Sequence, residues 1–250
     1  MGLQHGIKEV LDLNVLDFAT KKPLFYVDYA TATSNENQAE RLDLTGGRGN
    51  AKQMSFDHSR TSTFQVTVPL VDLKMIALLA GEEVVEGAAD MLKREVLVVS
   101  NASTAPEVTL SEAPVGDVQV FQLEGLRDNG ETLEVTSVAE KVVTLTTPVP
   151  DGAEVVVYYQ YKTPVTSKKV SIKSTKFPKA VEIYGTGLAR NQEDEQDYPC
   201  HVHVRKARPQ ANFTFTMSGT EATNLEITFD VYEVKDQNGD GQYIDYIFEG

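Results

Sequence analysis

The chain of 250 residues carries 37 acidic and 23 basic side chains, a formal net charge of −14, and 41% of its residues are hydrophobic. This apolar content suits one or two buried cores and excludes a disordered chain, while the negative charge argues against a surface that binds the phosphate backbone of DNA. A single cysteine, Cys200, forbids an intrachain disulfide, and residues 1–20 lack the apolar run of a signal peptide or membrane span, so we expect cytosolic synthesis without a membrane anchor.

Strand patterns and one long polar segment occupy the N-terminal part of the chain. Residues 24–30 are rich in aromatic and branched side chains, which predicts a strand. Residues 31–50 are mostly small and polar and end in a run of glycines, which predicts a long loop or hairpin arm. Residues 62–68 alternate, so every second side chain from Phe64 to Val68 should share one buried face.

One short helix is predicted over residues 68–81. Pro69 suits a first helical position, and Gly81 suits the left-handed residue that ends a helix. The apolar residues between them fall near one stripe, so the helix should lie against a sheet. This stripe comprises Leu70, Leu73, Ile76, Ala77 and Ala80.

A small β module is predicted at residues 93–163, interrupting a larger β domain formed by residues 1–92 and 164–250. Residues 93–162 contain 11 acidic and 5 basic side chains, whereas the segment from 168 to 179 contains five lysines, and such a change of sign marks a boundary. Strands are predicted at residues 95–100, 118–123, 132–138, 142–147 and 154–162, with turns at 114–116, 128–130 and 150–152. This spacing describes a sandwich of immunoglobulin-like size.

The C-terminal part is again predicted to be strand-rich. The predicted strands there cover residues 169–174, 180–185, 201–206, 211–218 and 224–234. Within the small module, the strand at 154–162 is apolar on both faces, so it should be central in its sheet or covered. It is either a core strand or a surface for self-association, and the pattern favours the core strand.

A partial calcium-binding motif lies near the C-terminus. Asp236, Asn238 and Asp240 match alternate ligands of a calcium loop. The twelfth position of that motif requires a bidentate glutamate, and this chain has Ile247 there. Because Asn-Gly and Asp-Gly steps are strong turn signals, the segment favours a hairpin turn between strands at residues 227–234 and 243–248.

No other motif supports catalysis or cofactor binding. His201 and His203 point the same way from one strand, but two imidazoles do not complete a metal site, and a structural role is favoured. The glycine-rich segments at residues 45–50 and 185–190 lack the residues that complete a P-loop or a dinucleotide fingerprint, and both are interpreted as turns. Cys200 and His201 lie on opposite faces of a strand and do not form a catalytic pair. We therefore expect no enzyme, no metal and no cofactor.

Blocks of opposite charge lie close together in the C-terminal part. Glu193, Asp194 and Glu195 form an acidic block, and Arg205 and Arg208 belong to a basic one. Such blocks dock identical subunits against each other in some assemblies. The alternative, which most charge runs follow, is that both are solvated faces.

Several segments, taken in order, carry a resemblance. They are the strand at 24–30, the arm containing Leu42-Asp43-Leu44-Thr45-Gly46-Gly47-Arg48-Gly49, the strand at 63–68 that runs into the helix, and strands at 213–218 and 225–232. In this order they resemble the tail tube (major tail) proteins of tailed bacteriophages. The small module is similar to the immunoglobulin-like decorations that such proteins carry.

The resemblance implies an antiparallel β-sandwich or barrel with a flanking helix, whose subunits close into hexameric rings around a lumen that conducts DNA during ejection. It also implies that the arm reaches the neighbouring ring, and that the partners are other copies and tail proteins such as sheath, terminator or baseplate components. The protein would reside in the virion tail after assembly in the bacterial host cytoplasm. The candidates for ring and stacking contacts are Arg41, Asp43, Thr45, Gly46, Gly47, Arg48, Gly49, Glu193, Asp194, Glu195, Arg205 and Arg208.

A protein of another class remains as the alternative. The small sandwich and the partial calcium loop are also typical of a calcium- or glycan-dependent adhesion protein built from two β domains. A hydrolase is disfavoured, because the sequence does not place two carboxylates face to face.

Overall fold

The computed structural model describes residues 4–7, 9–70, 72–100, 105–214 and 224–249. The chain divides into two compact units, Met1–Val84 with Val170–Gly250 and Val85–Lys169, called here the first and second units. Every strand pair is antiparallel, and the described residues contain one short helix. The predicted fold class, mainly β with antiparallel sheets and one helix, is confirmed.

The elements follow one another along the chain in three groups. The first group is β1 His5–Ile7, β2 Asp12–Asp17, β3 Pro23–Val27, β4 Ala32–Gly46, β5 Ala51–Val68 and α1 Leu73–Ala80. The second unit contains β6 Val85–Glu86, β7 Asp90–Val98, β8 Glu107–Thr109, β9 Pro114–Glu124, β10 Asp128–Leu133, β11 Val135–Ala139, β12 Val142–Leu145, β13 Glu154–Lys162 and β14 Lys168–Lys169. The last group is β15 Val181–Asn191, β16 Asp197–Pro209, β17 Leu225–Val231, β18 Val234–Lys235, β19 Gly241–Gln242 and β20 Ile244–Phe248.

A nine-stranded sheet builds the first unit. Its main path runs β3-β2-β15-β16-β17-β5-β4, while β1 pairs with β15 and β20 pairs with β16. The long strand β16 changes partner along its length, pairing with β20 at residues 200–204 and with β17 at residues 207–209. Inward-facing residues from these strands and from α1 form one core, in which Leu13, Phe64 and Met75 are at most 2% exposed.

The helix begins four residues later than Pro69, so that part of the prediction is wrong. Strand β5 continues to Val68, which pairs with Leu225, and the chain then turns before Asp72 caps the helix. The Asp72 side chain accepts a hydrogen bond of 2.9 Å from the amide of Lys74, the usual role of an N-cap aspartate. Gly81 ends the helix in the left-handed conformation, as predicted.

The glycine-rich segment at residues 185–190 is not a turn but part of β15, which corrects the sequence interpretation. Gly185 and Gly187 lie where the side chain of Leu11 approaches the strand. A Cβ at either position would lie 3.0 Å from a methyl carbon of Leu11. The glycines therefore mark a close approach within the sheet rather than a reversal of the chain.

Three other C-terminal predictions need correction. The strand predicted at residues 169–174 is reduced to β14, which ends at Lys169. Of the strand predicted at 211–218, residues 211–214 have no strand conformation and 215–218 lie outside the described residues. The final strand β20 pairs with β16 rather than continuing a hairpin with β17.

Two packed sheets build the core of the second unit, and β6 pairs with β14 in a further two-stranded sheet. One packed sheet has the order β10-β9-β13-β7 and the other β11-β12-β8. The doubly apolar strand at residues 154–162 is β13, which pairs with β9 on one side and β7 on the other, so its predicted central position is confirmed. Val155, Val157 and Tyr159 contribute to the core of this unit.

In the second unit, two turns were predicted at the wrong positions and one strand was not predicted. Residues 114–116 and 128–130 lie in strands, and the β9–β10 turn falls at residues 125–127, where Gly125 adopts a φ of 61°. The strand predicted at 132–138 is divided at Glu134 between the two sheets, and β8 had no clear sequence signal. The turn at residues 150–152 is confirmed.

A Gly81→Ala substitution tests whether the residue that ends the helix must be a glycine. An added Cβ would lie 2.2 Å from the Phe177 carbonyl oxygen, in addition to the cost of a φ of +67°. We expect the free energy of unfolding of the first unit to fall by about 3 kcal/mol in urea titrations followed by circular dichroism. Gly47→Ala is the matched control, because Gly47 has a φ of +80° but open space around it. Equal losses in the two variants would contradict the steric argument.

The carboxylate of Glu95 makes the stability of the second unit sensitive to acid. Partial burial alone would raise the pKa of Glu95, but hydrogen bonds from the amide and hydroxyl of Ser111, from Lys93 and from Tyr159 lower the pKa to about 2. A carboxylate whose pKa is lowered by folding stabilises the fold above the pKa of the unfolded chain, near 4.5, and loses this contribution as the pH falls towards 2.

We therefore expect the free energy of unfolding of the second unit to decrease by up to about 3 kcal/mol between pH 5 and pH 2. In Glu95→Gln the decrease should be smaller, as measured by urea unfolding at a series of pH values. Glu154→Gln, which alters an exposed residue of the same sheet, is the control and should keep the pH dependence of the parent protein. An unchanged slope in Glu95→Gln would refute the assignment.

Candidate assembly surface

A long exposed hairpin, called here the arm, extends from the sheet of the first unit. It comprises residues 36–61, the distal parts of β4 and β5, which pair with each other up to Gly46 and Ala51. Every residue of the arm is exposed except Gly46, which is half-buried. At about 3.4 Å per residue, the paired part of the arm is roughly 35 Å long.

The tip of the arm is the predicted turn. Gly47 and Gly49 have φ angles of 80° and 85°, and Asn50 has a φ of 53°, so three left-handed residues reverse the chain. The amide of Asn50 donates a hydrogen bond of 3.1 Å to the carbonyl of Gly47. Thr45 and Gly46 end β4, and Arg48 lies within the turn. The arm predicted from the polar segment is therefore a hairpin of two paired strands, whose register shifts between Gln38 and Glu40 and between Leu44 and Thr45.

One face of the arm carries ion pairs. Arg41 donates two hydrogen bonds to Asp57, of 2.7 and 3.1 Å. Asp43 accepts a hydrogen bond of 2.7 Å from the Ser55 hydroxyl, and Lys52 Nζ lies 2.7 Å from Asp43 Oδ2. A hydrogen bond from the Arg41 guanidinium lowers the pKa of Asp57. Hydrogen bonds from Lys52 and, to a smaller extent, from Ser55 lower the pKa of Asp43. Two of the candidate contact residues, Arg41 and Asp43, thus hold the two strands of the arm together.

The opposite face of the arm is apolar and uncovered. Leu42 lies directly across from Phe56, and Leu44 lies across from Met54. These four side chains, called here the apolar arm face, are between 47% and 55% exposed. Solvent-exposed apolar pairs of this kind on a projecting hairpin are typical of an interaction surface. The predicted contact residues did not include them, although alternation at positions 42, 44, 54 and 56 is visible in the sequence.

A β-bulge determines which side of the hairpin is apolar. The register shifts between Gln38, which pairs with Thr61, and Glu40, which pairs with His58, so β5 contains one extra residue at this point. Ser59 within it has a φ of 52°. Because a strand alternates faces with a period of two, the extra residue turns Phe56 to the face opposite that of the core residues of β5.

The acidic block forms the turn between β15 and β16. Asp194 accepts hydrogen bonds from the amide of Gln196 and the hydroxyl of Tyr198, at 3.1 and 2.8 Å, and the amide of Glu193 donates to Asn191. Glu195 has a φ of 55° in the same turn. These bonds give the turn a defined conformation with its carboxylates at the surface.

The basic candidates have partners within the first unit. Arg205 Nη2 lies 2.6 Å from Asp245 Oδ2, and Arg208 donates a hydrogen bond of 2.9 Å to the carbonyl of Pro178. The structure therefore groups Arg41, Asp43 and the tip residues on the arm. It places the two arginines on β16 and the acidic block in a separate turn.

The histidines of β16 pair with carboxylates. His201 Nε2 lies 2.9 Å from Glu249 Oε1, and His203 Nε2 lies 2.8 Å from Glu182 Oε1. Burial raises the pKa of Glu182, but hydrogen bonds from Lys21, His203 and Tyr184 lower it overall. The geometry agrees with the favoured structural role of both histidines.

The segment that resembles a calcium loop forms a tight turn between β18 and β19. Asp236 Oδ1 accepts hydrogen bonds from the amides of Asn238 and Asp240, at 2.8 and 2.9 Å. The favoured turn is therefore confirmed. Among the described residues, no cluster of three or more histidine, cysteine, aspartate or glutamate side chains could hold a metal ion.

The exposure of the arm predicts that the core folds without it. Gln38 and Thr61 are paired across the hairpin, so an Asn-Gly turn can replace residues 39–60. We expect this deletion to change the midpoint of thermal unfolding by no more than about 3 °C, since it removes no core residue. A much larger decrease, measured by differential scanning calorimetry, would show that the arm stabilises the core.

Comparison with known proteins places the chain among tube proteins. No helix in the described ranges is long and apolar enough to cross a membrane. A tail tube protein of Bacillus phage SPR is 22% identical over 227 residues, which cover 90% of this chain and 82% of the relative. Residues 5–246 match the YomU/Tube protein family. Because this match spans almost the whole chain, the protein belongs to the YomU/Tube protein family.

Proposed function

We propose that the protein is a structural subunit of a phage tail tube and that the arm makes contacts between subunits. The single observation that carries the proposal is the apolar arm face, made by Leu42, Leu44, Met54 and Phe56. In a monomer these side chains remain in water, whereas contact with another copy buries them and contributes about 25 cal/mol per Å² of apolar surface. Membership of a tube family implies this structural, non-enzymatic role.

The subunits would close into rings, which we propose to be hexameric, and the rings would stack into a tube. Support comes from the sheet of the first unit, whose main path ends at β3 on one side and β4 on the other. Head-to-tail packing in a ring covers such free edges, which would otherwise promote uncontrolled strand pairing. A lumen through these rings would conduct DNA. The net charge of −14 supports passage without adhesion, since acidic walls repel phosphates.

The second unit is proposed to be an immunoglobulin-like module. Aligning β8 to β13 with immunoglobulin strands B, C, C′, D, E and F gives one sheet of order D-E-B and another of order C′-C-F. The first strand of the unit, β7, then takes the place of the last immunoglobulin strand, G. Asp90 at the start of β7 pairs with Lys162 at the end of β13, so both ends of the module meet. Adjacent ends suit a module that interrupts another domain.

The proposed partners follow from this role. They are other copies of the chain, together with tail proteins such as sheath, terminator or baseplate components. The proposed location is the virion tail, after assembly in the cytoplasm of a bacterial host. The name of the relative from phage SPR supports this location.

Electron microscopy of the arm variants tests the proposed function. We expect the purified protein to form rings or hollow tubes in negative stain as its concentration increases. The double substitution Leu42→Ser and Phe56→Ser should abolish stacking while leaving the midpoint of thermal unfolding unchanged, because both side chains lie away from the core. Ser55→Ala, on the opposite arm face, is the control and should assemble normally.

Two results would count against the proposal. Dispersed monomers of the unmodified protein at every concentration would exclude a tube subunit. Normal tubes from the Leu42→Ser/Phe56→Ser variant would show that the apolar arm face does not make the stacking contact.

A further inference from the structure

A cleft in the first unit lies between two strand edges. It has a volume of about 540 Å³ and is lined by residues 31–35 of the β4 side and by Tyr246 and Phe248 of β20. Among the described strands, β4 pairs only with β5, and β20 pairs only with β16, so each presents a free edge. The Tyr246 hydroxyl donates a hydrogen bond of 2.7 Å to Asn35, which joins the two edges across the cleft.

The lining of this cleft, called here the β4–β20 cleft, is largely apolar. Leu11, Phe64 and Val202 are buried within it. Around the opening, Ile7, Val10, Tyr246 and Phe248 are 63%, 37%, 50% and 39% exposed. The first unit therefore has two uncovered apolar surfaces, a projecting one on the arm and a recessed one in the cleft.

These two surfaces cannot meet within one molecule. The cleft wall contains β4 residues up to Asn35, while the apolar arm face begins at Leu42 on the same strand. Seven residues of paired strand, which include the bulge opposite Gln38 and Glu40, separate them by about 23 Å. The paired hairpin cannot bend back over its own base without breaking its ladder of hydrogen bonds. A contact between the two surfaces must therefore join two molecules.

Charge favours the arm tip as the occupant of the cleft. Residues 41–57 contain three basic and two acidic side chains, a net charge of +1, which leaves −15 for the remainder of the chain. Arg41 and Lys52 are paired with carboxylates of the arm, so Arg48 provides the excess positive charge at the tip. Glu9 lines the cleft. The arm tip does not share the net negative charge of the chain, so it can approach an acidic neighbour without electrostatic repulsion.

We infer that the apolar arm face of one copy packs into the β4–β20 cleft of a second copy. This inference rests on the proposed function and specifies the acceptor surface for the arm. Each copy offers one arm and one cleft, so the contact can repeat from copy to copy in a ring or a stack. The side chains of Leu42, Leu44, Met54 and Phe56 leave water against the exposed apolar side chains of Ile7, Val10 and Phe248. Arg48 then lies on the side of Glu9.

Disulfide trapping between two single variants tests the contact. Leu44→Cys places a thiol on the apolar arm face, and Val10→Cys places one at the opening of the cleft. The native thiol of Cys200 is buried, burial raises its pKa, and the unmodified protein serves as the blank. The two variants are mixed, assembled, exposed to a mild oxidant and analysed by non-reducing electrophoresis and peptide mass spectrometry.

We expect a mixed Leu44→Cys/Val10→Cys disulfide dimer in the assembled sample. Ser55→Cys, on the opposite face at the same height of the arm, is the matched control in the same mixture with Val10→Cys. Its yield should be roughly tenfold lower, since only thiols held at the contact have a raised effective concentration.

Each other outcome overturns the inference. Tubes that form without the mixed disulfide, or with equal yields from Leu44→Cys and Ser55→Cys, would reject docking in this cleft while leaving the proposed tube function intact. If the unmodified protein forms no rings or tubes and no pair of cysteine variants gives a mixed disulfide, both the proposed function and the docking contact are wrong.

Discussion

The pairing of β4 with β5 is the interaction on which the rest of the first unit depends. Near its C-terminal end β5 lies between β4 and β17, and Phe64, Val66 and Val68 enter the core there. Towards its N-terminal end the same strand pairs with β4 alone and leaves the core as the arm. One continuous ladder of backbone hydrogen bonds therefore connects a buried sheet to a projecting surface. The core anchors the arm, and cross-strand side-chain pairs such as Arg41 with Asp57 stabilise it along its length.

The bulge at Ser59 makes the two faces of the hairpin chemically different. Without the extra residue, Phe56 and Phe64 would lie on the same face of β5, because both have even positions. With it, the apolar side chains at the tip are turned to the face opposite the core side. The cost is one interruption of the pairing and one left-handed residue. In return, a single hairpin has a polar, self-paired face and an apolar face that remains available to another molecule.

The arm differs from the rest of the protein in its net charge. Most of the negative charge is carried outside residues 41–57, and a strongly acidic surface keeps copies apart in solution. A neutral to slightly basic arm can approach a neighbour without this repulsion. Assembly through the arm would accordingly be directional, and it would become less dependent on charge as salt screens the acidic surfaces.

The amino-acid sequence was enough to predict the fold class, the existence of the arm, the turn at its tip and the end of the helix at Gly81. These features depend on local signals: alternation, runs of glycine and a left-handed cap. The sequence did not place the start of the helix, because β5 extends to Val68 only through its pairing with Leu225. It also misjudged Gly185 and Gly187, which look like turn residues but accommodate the side chain of Leu11, the residue just before the neighbouring strand β2. The tertiary structure decided the partner change along β16, the bulge in β5, the cleft between β4 and β20 and the face on which Leu42 and Phe56 lie. The physical reason is that register and edge pairing are set by contacts between residues far apart in the chain, which composition and spacing do not encode.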